Sequence, residues 1–295
     1  MMHFPPWKLL TARHLRPRKA LGQNFLIDPS TAEMIIRKSG VSRNAPVVEI
    51  GAGLGALTLP LADAAKVVYA IEKDGALAGI LEYELNRQGI RNVVLKRQDI
   101  FETDLAAIAA GQERRLRIFG NLPYYISSQV LIYLIGAREV VEQADLMFQK
   151  EVARRLIAGP GTKSYSRLSV MLQYYTEIRR TATVGAHLFW PSPKVDSEVL
   201  QFHFKTAPSP VLRDHALFAA VVKTAFGRRR KTLLNAMLST ELGIGREELI
   251  NIFRAAGIDP RRRAESLTVE AFVRLANTID AYGGKNGSKP PAPVR

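Results

Sequence analysis

The sequence contains no cysteine in its 295 residues. This absence excludes disulfide bonds, zinc sites built on thiolates, iron–sulfur clusters and every mechanism that needs a cysteine nucleophile. Histidine is scarce too, with five residues in the whole chain. Their spacing fits no metal-ligand motif, so we expect ordinary surface or packing histidines and no metal site.

Long hydrophobic runs are also missing. No stretch approaches the roughly 20 consecutive apolar residues that a membrane-spanning helix needs. The N-terminus carries basic residues but lacks the apolar core and the small-residue cleavage site of a signal peptide. We therefore expect a cytoplasmic protein with no membrane partner. The length and the 47% hydrophobic content allow one large domain plus a smaller one.

Acidic residues are few beside basic ones, 27 against 42, which gives a formal net charge of +15. Such an excess indicates a polyanionic partner, either nucleic acid or an anionic membrane surface. A single basic run is more often a solvated face, but three runs within such an excess favour nucleic acid. The runs are residues 8–19, residues 261–263, and the four residues Arg228, Arg229, Arg230 and Lys231, which we predict to contact the nucleic acid.

From residue 46 to residue 204, apolar runs alternate with amphipathic stretches. Several runs are almost entirely apolar, as expected of parallel strands buried on both faces. The alternation predicts an α/β fold, a doubly wound sheet with helices on both sides. We predict strands at 47–50, 67–72, 93–99, 117–121, 144–149 and 198–204, helices at 76–88 and 127–135, and a helix plus a strand within 168–183.

A proline-containing linker at 205–211 separates this region from a C-terminal part with helical periodicity. The chain is thus divided into a basic N-terminal extension at 1–18 and a large α/β domain at 19–206. A small all-helical domain follows at 207–282, which we expect to recognise nucleic acid, and residues 283–295 have the composition of a disordered tail.

The segment VVEIGAGLGALT predicts a strand, a glycine turn and the start of a helix. Gly51 and Gly53 let the backbone turn tightly and approach a ligand. Glu72 ends the next strand, where a carboxylate accepts hydrogen bonds from ribose hydroxyls, and Asp99 ends the third, placed to accept from an adenine amine. Acidic strand ends beside a glycine turn suit an adenosine ligand without a pyrophosphate, such as S-adenosylmethionine. The alternatives are NAD, whose glycine spacing differs, and a plain strand–turn–helix.

The segment FGNLPYYISS places Asn121, Leu122, Pro123 and Tyr124 after the fourth strand. An adenine amine is a poor nucleophile because its lone pair is delocalised into the ring. The side-chain oxygen of Asn121 and the carbonyl of Leu122 can accept its two hydrogens and direct the lone pair at a methyl donor, while Pro123 stiffens the turn. Tyr124 offers a face for base stacking. The alternative is a buried loop whose aromatic residues only pack.

A second aromatic segment, LFWPSPKVDSEV, leads into the last strand. Phe189 could close on the other side of the target base, and Lys194 could meet a phosphate. Taken alone, the segment fits a simple packed loop equally well.

Together, the motifs KALGQNFL, EIGAGLGALT, AIEKD, QDIF, GNLPY and FWPSPKVDS make the chain resemble the KsgA family over nearly its whole length. This family consists of the small-subunit ribosomal RNA adenine dimethyltransferases. The resemblance implies a Rossmann-like class I methyltransferase domain with a mostly parallel sheet and an antiparallel last strand. It also implies N6,N6-dimethylation of two adjacent adenines in the 3′-terminal hairpin of 16S rRNA in the pre-30S subunit, late in assembly, by a monomer.

Carried over by motif, the resemblance implies that Gln23, Asn24 and Leu26 cover the methionine end of S-adenosylmethionine, with Gly51 beneath it. Glu72 then lies on the ribose, Asp99 at the adenine and Asn121 near the methyl, while Tyr124 and Phe189 bracket the substrate base. The departure is Tyr125, where the family often has asparagine.

Three alternatives stay open at the level of sequence. An Erm-type enzyme would methylate an adenine of large-subunit rRNA, but PKVDS and the longer helical C-terminal domain argue against it. A DNA adenine methyltransferase shares the logic of Asn121, but GQNFL argues against it. The protein could also act mainly as a non-catalytic RNA-binding assembly factor.

Overall fold

The computed structural model describes residues 5–18, 22–123, 125–228, 230–238 and 242–286, with side chains up to residue 283. Two compact units are formed. The first consists of Met1–Ala153 and Glu177–Lys205, and the second of Arg154–Thr176 and Thr206–Arg295. Arg154–Thr176 group with the C-terminal residues, because the chain leaves the first unit after Ala153 and returns to it at Glu177. The predicted domain division at residue 206 stays a prediction.

The first unit contains a seven-stranded sheet with the order β4-β3-β2-β5-β6-β9-β7. Strands β2 to β6 pair in parallel, and β9 pairs antiparallel with β6. The predicted fold class is confirmed. The strands are β2 (Pro46–Ile50), β3 (Val67–Ile71), β4 (Val93–Lys96), β5 (Leu116–Asn121), β6 (Val141–Gln149), β7 (Thr176–Val184) and β9 (Ser197–Phe204).

Strand β2 forms where the sequence predicted a two-sided core. All five of its residues are buried, because β3 and β5 flank it and helices cover both faces. The chain order places β3 and β4 on one side of β2 and β5 on the other. The crevice between the carboxyl ends of β2 and β5 is therefore the topological switch point, where sheets of this kind bind ligands.

The helices of the first unit begin at aspartate caps in several cases. The side chains of Asp28, Asp74 and Asp104 accept hydrogen bonds from backbone N–H groups in the first turns of α2, α4 and α5. These helices are α2 (Pro29–Ser39), α3 (Thr58–Ala64), α4 (Gly75–Arg87), α5 (Leu105–Gln112) and α6 (Ser127–Gly136), and α7 (Lys150–Leu156) leads into the second unit.

Three short elements were not predicted. Helix α1 (Pro6–Thr11) lies within the segment treated as an extension, and β1 (Phe25–Leu26) pairs antiparallel with β8 (Phe189–Trp190). In this pairing, Phe25 lies opposite Trp190 and Leu26 opposite Phe189. The GQNFL motif and the FWPSP motif are thus joined by backbone hydrogen bonding.

The second unit is helical, with α8 (Arg167–Tyr175), α9 (His215–Phe226), α10 (Leu233–Met237), α11 (Arg246–Ala255) and α12 (Val269–Asn286). Its core is aromatic, and Phe218, Phe253 and Phe272 are fully buried. Helix α12 continues to Asn286, three residues beyond the predicted start of the tail at residue 283. Across the described ranges, no helix is both long and apolar enough to cross a membrane.

Candidate active site

A cavity of about 390 Å³ opens at the switch point of the first unit. Ten residues predicted for the site line this one cavity, although they come from six separate segments of the chain. They are Gln23, Asn24, Leu26, Gly51, Gly53, Glu72, Asp99, Asn121, Leu122 and Phe189.

The glycine turn after β2 forms the floor of the cavity. Gly51 and Gly53 have φ angles of +74° and +57°, a region that residues with a β-carbon rarely adopt. The turn is held to β3, because the amides of Gly51 and Ala52 both donate to the carbonyl of Ile71, at 2.9 and 3.1 Å. The backbone therefore lies open to a ligand on its cavity side.

Glu72 connects this turn to the start of α4. Its Oε2 accepts from the amide of Gly53 at 2.8 Å, and its Oε1 accepts from the amide of Asp74 at 2.7 Å. The side chain is buried, and burial raises the pKa of this carboxyl even though the amides counteract the shift. Each oxygen keeps a lone pair for a further donor, such as a ribose hydroxyl.

Glu49 is a second buried carboxyl in the cavity wall, to which the sequence assigned no role. It is 2% exposed, and the hydroxyl of Thr58 donates to its Oε2 at 2.5 Å. Burial raises the pKa of Glu49 to about 8, while the hydrogen bond from Thr58 opposes this and the nearby charge of Glu72 adds to it. A pKa of about 8 keeps Glu49 mostly protonated, and therefore neutral, at pH 7.

Asp99 lies at another side of the cavity, just after β4. Its carboxylate accepts from the amide of Phe101 at 3.2 Å and from Nζ of Lys73 at 2.8 Å. Burial pushes the pKa of Asp99 upward, but the hydrogen bond from Lys73 and the other donors outweigh it, so that the pKa is lowered. Asp99 therefore stays ionised and can accept an additional hydrogen bond.

Asn121 ends β5 at the mouth of the crevice. Its Nδ2 donates to the backbone carbonyl of Asn24 at 3.1 Å, which fixes the orientation of the amide. Neither Oδ1 of Asn121 nor the carbonyl of Leu122 accepts a hydrogen bond from another described residue. Asn121 and Leu122 both line the cavity, and their roles in orienting an amine stay predictions.

Gly120 permits this placement of Asn121. A β-carbon at Gly120 would lie 2.9 Å from the carbonyl oxygen of Ile50, closer than such atoms approach. The next residues turn sharply, since the amide of Ile126 and the hydroxyl of Ser127 both donate to the carbonyl of Pro123, at 3.3 and 3.1 Å.

The predicted aromatic partners of the base differ in what can be said of them. Tyr124 lies outside the described residues. Its neighbour Tyr125 lines the cavity and is 58% exposed. Phe189 also lines the cavity but is only 4% exposed, because it packs against Leu26 and the core behind it. The stacking roles of Tyr124 and Phe189 stay predictions.

The GQNFL motif contributes polar groups through a short network. The Nε2 of Gln23 donates to Oδ2 of Asp74 at 3.2 Å, and the amide of Arg18 donates to Oε1 of Gln23 at 2.8 Å. Asn24 donates from Nδ2 to the carbonyl of Gly22 at 3.1 Å. Arg18 and Asp74 therefore belong to the cavity as well, which the motif did not indicate.

The basic residues predicted to contact RNA do not line this cavity. Lys194 is exposed in the loop before β9, while the run at 228–231 belongs to the second unit. There, Arg228, Arg230 and Lys231 are exposed, and Arg229 lies outside the described residues. Within the described chain, no group of three or more potential ligands is placed to hold a metal ion.

Two basic runs meet in the second unit. The amide of Leu233 donates to the carbonyl of Arg262 at 2.8 Å, and the amide of Leu234 donates to that of Pro260 at 3.1 Å. These bonds join the chain just after Lys231 to residues 260–262. The exposed side chains of the two runs are those of Arg228, Arg230, Lys231, Arg261, Arg262 and Arg263. We call these two runs the C-terminal basic surface.

Comparison with known proteins identifies the family to which the chain belongs. A family model described as ribosomal RNA adenine dimethylase matches residues 14–281. The chain belongs to the ribosomal RNA adenine dimethylase family. It is accordingly an adenine dimethyltransferase that acts on ribosomal RNA and depends on S-adenosylmethionine, and the resemblance inferred from the motifs is confirmed.

Individual members of the family span almost the same length. The ribosomal RNA small subunit methyltransferase A of Desulforapulum autotrophicum is 46% identical over 280 residues, covering 95% of this chain and 98% of the relative. The protein of the same name from Moorella thermoacetica is 42% identical and covers 92% and 95%.

Solved structures of adenine methyltransferases share the fold. A dimethyladenosine transferase from Plasmodium falciparum is 25% identical with a TM-score of 0.74, and covers 89% of this chain and 98% of its own. The 23S rRNA methyltransferase ErmE is 26% identical with a TM-score of 0.65, and covers 87% and 99%. The higher identities above favour the KsgA-type interpretation over the Erm-type one.

Proposed function

We propose that this dimethylase transfers methyl groups from S-adenosylmethionine to the exocyclic N6 of two adjacent adenines in the 3′-terminal hairpin of small-subunit rRNA. The products are N6,N6-dimethyladenosines, formed in the pre-30S subunit late in its assembly. The names of its relatives support the small subunit as the substrate, at identities up to 46%.

The observation that carries the proposal is the hydrogen bond from Nδ2 of Asn121 to the carbonyl of Asn24. This bond leaves Oδ1 of Asn121, a residue that lines the cavity, available as an acceptor. With the carbonyl of Leu122, it forms a pair of acceptors for the two hydrogens of an adenine amine. Hydrogen bonds to both hydrogens favour a more tetrahedral nitrogen whose lone pair points at the methyl carbon.

The reaction needs no strong base from the chain. S-adenosylmethionine supplies an electrophilic methyl group on a sulfonium. Once the adenine nitrogen carries a new bond to carbon, it is positively charged and its proton becomes acidic. The acceptor oxygens of Asn121 and Leu122 hold that proton on its way to solvent. In the second transfer the nitrogen has one hydrogen left, and one of the two oxygens accepts it.

The cavity fits the cofactor by charge and by hydrogen-bonding capacity. Glu72 has a spare lone pair on each oxygen for the ribose hydroxyls, and ionised Asp99 accepts from the adenine amine beside Lys73. Gln23, Asn24 and Leu26 form the wall assigned to the methionine end, above Gly51. When bound, the positive sulfonium would offset the free-energy cost of ionising the buried carboxyls of Glu49 and Glu72.

The RNA is held by aromatic and basic groups around and beyond the cavity. Tyr124 and Phe189 bracket the extruded adenine, and stacking on such rings contributes about 1–3 kcal/mol per base. Lys194 and the run from Arg228 to Lys231 meet backbone phosphates, which position the RNA without reading its sequence.

The proposal is tested by incubating the protein with labelled S-adenosylmethionine and purified 30S or 50S subunits, and by mapping the modified nucleotides. We expect two neighbouring dimethyladenosines near the 3′ end of 16S rRNA and no label in 23S rRNA. Label confined to 23S rRNA would establish the Erm-type alternative. Binding to the 30S subunit without any label would establish the non-catalytic assembly factor.

A further inference from the structure

The segment Pro5–Arg18, which we call the N-terminal wall, lies against the cofactor cavity. Pro6 and Arg18, at its two ends, both line the cavity. The family model begins at residue 14, so helix α1 at Pro6–Thr11 lies before the part of the chain that defines the family. No role for α1 follows from membership of the family.

Helix α1 is anchored by apolar packing. Leu9 and Leu10 are 7% and 1% exposed and form a cluster with Ile80 and with three residues that line the cavity, Phe25, Leu54 and Leu77. Leu54 belongs to the glycine turn, and Leu77 to the first turn of α4. Two leucines buried this deeply hold the helix in place through apolar contact.

The other end of the N-terminal wall is anchored by charge. An Nη1 of Arg18 lies 3.4 Å from Oδ2 of Asp74, whose side chain is 7% exposed. Gln23 donates to the same oxygen, and the amide of Arg18 donates to Gln23. Asp74 in turn donates from its amide to Glu72, the proposed ribose acceptor. One ion pair and one hydrogen bond thus link the guanidinium of Arg18 to the carboxylate that would hold the ribose.

The middle of the N-terminal wall contacts the aromatic segment that precedes β9. The rings of Trp7 and Trp190 meet edge to face at 6.3 Å, and Trp190 stacks on Phe25 at 6.5 Å. Trp190 directly follows Phe189 in β8. These two tryptophans are the only ones in the sequence, which makes their contact a natural optical probe.

We propose that the N-terminal wall is a further part of the cofactor site, which retains the ribose side of S-adenosylmethionine and of S-adenosylhomocysteine. The inference rests on the proposed function. Complete modification of two adenines uses four methyl groups, so four cofactors must enter and four products must leave. The wall therefore controls how fast cofactor is exchanged between methyl transfers, and the contact of Trp7 with Trp190 transmits occupancy to the loop beside the substrate.

The test compares three variants with the wild-type chain: a deletion of residues 1–11, Arg18→Gln and Trp7→Ala. Arg16→Gln is the matched control, since Arg16 is exposed, carries the same charge and does not line the cavity. Calorimetry measures the Kd of S-adenosylmethionine and S-adenosylhomocysteine. Stopped-flow fluorescence of Trp190, which all of these chains keep, measures the dissociation rates of the two ligands.

We expect the deletion to raise Kd and the dissociation rate by about tenfold, Arg18→Gln and Trp7→Ala by about threefold, and the control by less than about 1.5-fold. The control should also keep the maximal rate at saturating cofactor within about twofold of that of the wild-type chain, because Arg16 does not line the cavity.

Wild-type Kd values and dissociation rates in a folded deletion variant would overturn the inference. If the deletion variant does not fold, wild-type values in both Arg18→Gln and Trp7→Ala would overturn it. A wild-type chain that binds neither S-adenosylmethionine nor S-adenosylhomocysteine would instead refute the proposed function.

Discussion

The side-chain amide of Asn121 donates a hydrogen bond to the backbone carbonyl of Asn24 at 3.1 Å, across 97 residues of sequence. The GQNFL motif thereby sets the orientation of the residue proposed to grip the adenine amine. A side-chain amide can be turned by half a rotation at little cost, and the carbonyl of Asn24 removes that freedom. Asn24 therefore both fixes the orientation of Asn121 and forms part of the wall of the cofactor cavity.

The first prediction concerns this amide. Asn121→Ala should lower the rate of methyl transfer by at least about 10²-fold, because it removes an acceptor that acts on the reacting amine. Binding of S-adenosylmethionine should change by no more than about threefold, since the hydrogen bonds to Glu72 and Asp99 remain. Transfer of labelled methyl groups to 30S subunits and calorimetry measure the two effects. Normal turnover by Asn121→Ala would refute the amine-orienting role.

A second prediction follows from the contact between Gly120 and Ile50. In Gly120→Ala, the new β-carbon forces β5 away from the carbonyl of Ile50 and displaces Asn121. We expect a loss of about 1–3 kcal/mol in the free energy of unfolding, with transfer reduced more strongly than cofactor binding. Gly79→Ala is the control, because a β-carbon in α4 at Gly79 would contact nothing within 4 Å. Equal stability of the two variants would contradict the steric argument.

The third prediction is a pH dependence of stability. The pKa of Glu49 is about 8 in the folded chain, against an ordinary value of 4.5. Between these values the folded state keeps a proton that the unfolded state has lost. The contribution of Glu49 is therefore fully present below pH 4.5 and is lost as the pH rises towards 8, at about 1 kcal/mol per pH unit.

Urea unfolding between pH 4.5 and pH 9 measures this dependence. Glu49→Gln should flatten the decline throughout the window. Asp145→Asn is the comparison, since Asp145 is a buried carboxyl whose pKa burial raises to about 6, against hydrogen bonds from Gln143 and Gln201. It should flatten the decline only below about pH 6. A wild-type decline that persists unchanged in Glu49→Gln would show that Glu49 is ionised in the folded chain.

The fourth prediction concerns the C-terminal basic surface. Replacing Arg228, Arg230 and Lys231 by Gln should weaken RNA binding and lower the slope of log K against log salt by about two, if each side chain meets a phosphate. The salt dependence of binding to a fragment of 16S rRNA measures this slope.

The control for that experiment removes three charges at the opposite edge of the sheet. Arg43, Lys66 and Arg91 are exposed and lie just before β2, β3 and β4, whereas the cavity lies at the carboxyl ends of these strands. Their replacement by Gln lowers the net charge equally but should leave the slope unchanged. Equal effects of the two triple variants on the slope would show that the C-terminal basic surface is solvated and makes no specific contact with RNA.

The sequence was informative wherever a residue's environment follows from its neighbours along the chain. The apolar runs around Val48 and Ile118 predicted buried parallel strands. Two further runs, 67–72 and 93–99, end in Glu72 and Asp99, and both residues line the cavity. The two-residue strands β1 and β8 were missed because two residues show no periodicity, and their pairing joins segments more than 160 residues apart. The burial of Glu49 depends likewise on Thr58 and the surrounding core, which no local pattern reveals.

The pairing of Leu26 with Phe189 determines how late in its synthesis the chain can complete the cavity. During translation, β1 emerges before the large sheet, but its partner follows only when about two-thirds of the chain has been made. Until then the cofactor cavity lacks one side, although most of the sheet can already assemble as a unit. We expect a nascent chain that is still shorter than this to transfer no methyl groups, even though it is attached to a ribosome and therefore close to ribosomal RNA.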